Sequence, residues 1–115
     1  MKRHHNLKKY LTKTELKAID MLVTKISKIW PNTKFKLFGS KVTGDFDEES
    51  DIDILILLPC EVKEEIRERI IDIVFNINLK FDTNISPLIL SEKEWVDLSV
   101  LPIHYFIEKE GVTYG

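Results

Sequence analysis

The chain has 115 residues, 43% of them hydrophobic and 31% charged, with a formal net charge of -2. This length accommodates one domain of ordinary size, which excludes a large multidomain enzyme, and the apolar share is enough to bury a core, which excludes a disordered chain. The near-neutral balance excludes the strongly basic surface that non-specific nucleic-acid binding requires.

Charge is uneven along the chain. Residues 1–17 hold six Lys or Arg against the single acid Glu15, so this segment carries +5 and the remainder -7. Residues 1–11 read as a solvated basic tail on a single domain spanning 1–115, and no nucleic-acid partner is expected from it. From Thr12 the pattern Thr12-x-x-Glu15 is a capping box, followed by Leu16, Ile19, Leu22, Val23, Ile26, Ile29 and Trp30 at helical spacing. Pro31 ends that helix.

Lys34 to Phe38 alternates Lys with Phe and Leu, as a short strand does, and runs into Gly39-Ser40. A turn and loop with Gly44 as its flexible point fill Lys41 to Ser50. Asp51 to Leu58 is the next strand, and its Ile/Leu run implies burial on both faces in the middle of a sheet. The apolar stretch Ile54 to Leu58 is far below the ~18 residues of a membrane span, so no membrane association is expected. Cys60 is the only cysteine, so neither an intrachain disulfide nor a Cys-based zinc site can form within the chain, which fits a reducing cytoplasm.

Val62, Ile66, Ile70, Ile73, Val74 and Ile77 then mark an amphipathic helix. Lys80 to Leu90 reads as a further strand, with Pro87 favouring an edge or bulged position. Ser91-x-x-Glu94 is a second capping box, opening a helix with Trp95 and Leu98 that Pro102 restarts and Gly111 ends. With no regular βαβ repetition and no Gly-x-Gly-x-x-Gly fingerprint, the order predicts an α+β fold with a small mixed β-sheet packed with helices.

The residues with chemical promise are Asp51 and Asp53, which strand alternation places side by side on one face. Two adjacent carboxylates at the start of a buried strand repel, and a divalent cation compensates them most cheaply. Oxygen ligands with no nearby Cys or His suit Mg²⁺ or Mn²⁺. The plainer reading of Asp-x-Asp is an exposed strand end touching only water. The balance moves because Gly39-Ser40 ends the preceding strand, bringing a backbone that a phosphate can approach closely to the same sheet edge.

Leu37-Phe38-Gly39-Ser40, then Gly44, then Ser50-Asp51-Ile52-Asp53-Ile54-Leu55 resemble the minimal nucleotidyltransferases of the DNA polymerase β-like superfamily. The resemblance implies the palm-like fold of that superfamily and metal-dependent transfer of a nucleoside monophosphate, AMP first, from a nucleoside triphosphate to an acceptor hydroxyl. It assigns Asp51 and Asp53 as metal-binding catalytic acids, and Gly39, Ser40 and Lys41 as the nucleotide-binding turn, with Lys41 where the family frequently has Arg. It also implies a third catalytic, metal-binding carboxylate, for which Asp82 is the candidate on a strand face shared with Asn84 and Ser86; Asp72 and Asp97 are competitors. Stand-alone members resemble the antitoxin half of two-protein systems, so the implied partners are a HEPN-domain protein, bound or modified, and a second copy, with apolar residues around Trp95 or Phe106 as the interface candidates and ordinary core packing as the plainer reading of both. A non-catalytic antitoxin that only masks its partner is the alternative.

Overall fold

Helix α1 (Lys13–Ile29) starts where its cap dictates: the Thr12 side chain accepts the Glu15 N–H at 3.0 Å, and Glu15 returns the favour to the Thr12 N–H at 2.9 Å. The computed structural model describes residues 10–44 and 51–114, so the tail over residues 1–9 and the loop over residues 45–50 lie outside the described residues. Leu11, placed in the tail by sequence, is buried in the core.

After α1 come β1 (Lys34–Phe38), the single-turn helix α2 (Ser40–Thr43), β2 (Ile52–Leu58), α3 (Glu64–Phe81) and β3 (Ile85–Ser91). Helix α4 (Glu92–Asp97), a 3-10 turn (Leu98–Val100), α5 (Pro102–Glu110) and β4 (Val112–Tyr114) complete the described chain. The strands form one sheet in the order β3-β2-β1-β4. β1 runs antiparallel to β2 and β4, whereas β2 and β3 are parallel and joined through α3. This is the α+β mixed sheet that the sequence predicts.

Strand alternation divides β2 between two cores. Ile52, Ile54, Ile56 and Leu58 point into the larger one, against Ala18, Ile19, Leu22 and Ile26 of α1 and Ile70, Val74 and Ile77 of α3. Leu55 and Leu57 face the other side, where Trp95 of α4 and Ile107 of α5 cover them together with Phe38, Leu88 and Leu90. Each such side chain removed from water stabilises the fold by about 1.5–3 kcal/mol. Asp53 lies on this second face, beyond the end of the apolar cluster.

Two expectations need correction. The strand predicted over Lys80 to Leu90 begins only at Ile85, because α3 continues through Phe81 and closes on Asp82 in the left-handed conformation (φ 53°). Asp is among the few L residues that enter that region readily. Asn78 fixes the switch from helix to strand. Its side chain accepts the Ile85 N–H at 2.9 Å, donates to the Ile85 carbonyl at 3.1 Å and accepts the Thr83 hydroxyl at 3.0 Å. The second correction is β4, which the sequence reading omits. Its Tyr114 hydroxyl donates to Asp20 on α1, and burial together with the Asp20 carboxylate holds the phenol well above its usual range. Pro87, as expected, sits on an edge strand.

Candidate active site

β1 delivers the chain to a point beside the first turn of β2. In the antiparallel register Phe38 lies opposite Asp53, so Gly39, one residue on, passes directly against the Asp53 carboxylate. Gly39 adopts φ 83° and ψ -165°, a region essentially confined to glycine. A Cβ at this position would overlap Asp53 Oδ2 and stand 3.2 Å from its Cγ. Glycine is therefore required twice, by its own backbone and by the carboxylate it touches.

The turn is then held in place from behind. Val42 and Thr43 donate to the Gly39 carbonyl, and Gly44 closes α2 with φ 90° while lying against the Tyr10 ring. Lys41, the next residue of this turn, packs inward. Its side chain is buried and its Nζ lies 3.4 Å from Glu15 Oε2, tying α2 to the capping box of α1. Ser40 faces a cleft. Gly39 and Ser40 thus stand at the sheet edge, and the Lys41 ammonium pairs with Glu15 behind them.

Asp51 is exposed and Asp53 half-buried at the same edge. Burial first, and the neighbouring Asp51 charge second, push the Asp53 carboxyl above the usual carboxylate range. β3 contributes the remaining side of this edge. Asn84 donates from its side chain to Asp51, and its carbonyl accepts the Ile52 N–H at 2.9 Å. Ser86 is the register partner of Asp53 across the parallel pair, and partners on adjacent strands share a face.

Asp82 does not reach the acid pair from a strand. Asp82 sits exposed at the C-terminus of α3 rather than on a strand, and among the described residues no group of three or more His, Cys, Asp or Glu could hold a metal ion. The strand face shared by Asp82, Asn84 and Ser86 in the sequence reading therefore loses Asp82 to the helix end, and neutral Asn84 and Ser86 flank the acids. Two adjacent carboxylates, one with its charged form disfavoured, still suit a hard divalent cation whose other ligands come from substrate phosphates and water. Asp51 and Asp53 would hold it.

One wall of the site has no signal in the sequence pattern. A cleft of about 480 Å³ lies between Phe38, Gly39, Ser40 and Thr43 on one side and Ile103, Phe106, Ile107 and Glu110 of α5 on the other. Trp95, for which core packing is the plainer reading, is buried under α5, stacked on His104 at 4.1 Å and donating to Glu108 at 3.1 Å.

Comparison with known proteins identifies the family and the fold. Residues 19–110 match the family described as a nucleotidyltransferase domain. A protein of Methanocaldococcus jannaschii provisionally named a protein adenylyltransferase is 47% identical over 53 residues, which are 46% of this chain and 54% of that protein. The chain thus spans about half the length of this curated relative. A crystal structure from Sulfolobus solfataricus, provisionally described as a nucleotidyltransferase, covers 96% of this chain and 83% of its own at 22% identity and a TM-score of 0.57. At that identity the likeness is one of fold.

Proposed function

The chain belongs to the nucleotidyltransferase domain family, and on that premise we propose that it transfers a nucleoside monophosphate, AMP first, from a nucleoside triphosphate to an acceptor hydroxyl. The observation that carries this reading is the contact of Gly39 with Asp53, which brings a glycine turn and two strand carboxylates to one edge. In the transfer, the acceptor hydroxyl oxygen bonds to the α-phosphorus and gives up its proton to solvent, the bond to the bridging oxygen of the β-phosphate breaks, and pyrophosphate leaves. Mg²⁺ or Mn²⁺, when bound, would supply positive charge that offsets the negative charge of the triphosphate during this displacement. Asp51 and Asp53 would hold the cation, Asn84 orients Asp51, and the bare Gly39 backbone leaves room for the triphosphate beside both acids.

A protein acceptor is favoured by the name of the Methanocaldococcus jannaschii relative. We infer the same from the surface: Val96, Val100 and Tyr105 are 66%, 86% and 58% exposed on the segment that closes the second core. A HEPN-domain protein or a second copy is the proposed occupant of that surface. The same exposure supports the second reading, a module that masks its partner without turning over nucleotide.

The test is incubation of the chain with α-phosphate-labelled nucleoside triphosphates, Mg²⁺ or Mn²⁺ and a candidate acceptor, in parallel with Asp53→Asn. A labelled product that falls by at least about 100-fold in Asp53→Asn supports the proposal. Undiminished labelling in that variant refutes the site. A variant that still neutralises the partner while labelling nothing separates masking from catalysis.

A further inference from the structure

We propose that the cleft between the α2 turn and α5 is the nucleoside slot of this site, with the triphosphate at the Gly39 end and the base lying flat on Phe106. The inference rests on the nucleotidyl-transfer reading and adds where the base goes. At about 480 Å³ the cleft falls within the roughly 300–1,000 Å³ range of small-ligand sites. Its two ends differ in chemistry. Ser40 and Gly39 form one end, where Gly39 also abuts the Asp53 carboxylate, so the cleft begins beside the acid pair although neither acid lines it; Glu110 is the charged side chain among its lining residues. Ile103 and Phe106 form the other end.

Those two side chains are 45% and 59% exposed, although they are large and apolar. Three residues apart on α5, they share one face of the helix, and both line the cleft. The wall they stand on is fixed. Ile107 is buried against Leu55 and Trp95, Glu108 takes the Trp95 indole N–H, and Lys36 reaches Glu108 at 3.5 Å. Tyr105 meets the Phe106 ring edge-on at 5.6 Å. A glycine-serine turn beside two acids that would hold a divalent cation, leading into an apolar shelf with a largely exposed aromatic ring, suits a ligand whose polyanionic end such a cation would neutralise and whose other end is a flat heteroaromatic, which is a nucleotide. A ring under a base is worth about 1–3 kcal/mol in single-strand binders, and it serves any base because every base has a π-face.

The test compares ATP with inorganic tripolyphosphate, each with Mn²⁺, by equilibrium competition on the wild-type chain, Phe106→Ala and Phe106→Trp. Phe106 is largely exposed, so neither substitution removes a core contact. The expected result is a loss of ATP affinity of about fivefold or more in Phe106→Ala, unchanged tripolyphosphate affinity, and ATP affinity retained in Phe106→Trp. An ATP affinity indifferent to Phe106→Ala overturns the slot, as it would if the shelf served a protein partner, and so does an equal loss for both ligands. If the wild-type chain binds both ligands with equal affinity, the slot alone fails. If it binds neither, the nucleotidyl-transfer reading fails with it.

Discussion

Gly39 and Asp53 are one structural unit. Because the glycine holds a backbone conformation closed to other residues and leaves no room for a Cβ, Gly39→Ala must rotate the turn or displace the carboxylate. The expected cost is about 1–3 kcal/mol in urea unfolding, with transfer falling about 100-fold because the reacting groups are misplaced. Stability lost without any loss of transfer would show that the turn does not position the site. Asp53 carries a second prediction. Its folded-state pKa is raised by burial and by Asp51, so the folded protein binds this proton more tightly than the unfolded chain. The stabilisation is complete below the unfolded pKa and is lost as pH rises through the folded value, leaving the ionised carboxylate as a cost at neutral pH. Asp53→Asn should therefore melt higher than wild type at pH 7, with the margin shrinking toward pH 4 and closing at pH 7 when Mg²⁺ is added. A margin independent of pH would remove the electrostatic account of the acid pair.

At the scale of elements, local signals were read correctly and non-local ones were not. Both capping boxes, at Thr12 and Ser91, are made by residues three apart, so sequence spacing contains all of their geometry. β4 holds only Val112, Thr113 and Tyr114, too short a run to show a period, and it exists because β1 offers a free edge and Asp20 accepts the Tyr114 hydroxyl. The α3–β3 junction was displaced by several residues for a related reason. Nothing in the pattern around Lys80 reveals that Asn78 will bond to the backbone of Ile85, seven positions on. Replacing Asn78 with Leu keeps the size but strands the Ile85 groups, and chemical denaturation should report a loss of about 1–3 kcal/mol. An unchanged midpoint would mean that β3 is placed by its pairing with β2 alone. The site shows the same division. Gly39, Ser40, Asp51 and Asp53 were legible because a turn and a strand start fix their neighbours, while the fate of Lys41 depended on Glu15, which lies on another helix.

Across the whole molecule the sheet separates stability from chemistry. One face, closed by α1 and α3, holds most of the buried apolar side chains. The other carries the small cluster of Leu55, Trp95 and Ile107, and beyond it the acid pair and the cleft open to solvent. Among the described residues no helix is long and apolar enough to cross a membrane. The most direct test of the central claim follows the two ends of one nucleotide. ATP labelled at the α-phosphate and ATP labelled at the γ-phosphate are each incubated with the chain, its acceptor and Mg²⁺, beside Asp53→Asn. The account predicts that the α-label becomes attached to the acceptor and the γ-label leaves in pyrophosphate, both only with an intact Asp53. Attachment of the γ-label, or attachment of the α-label that survives Asp53→Asn, would contradict it.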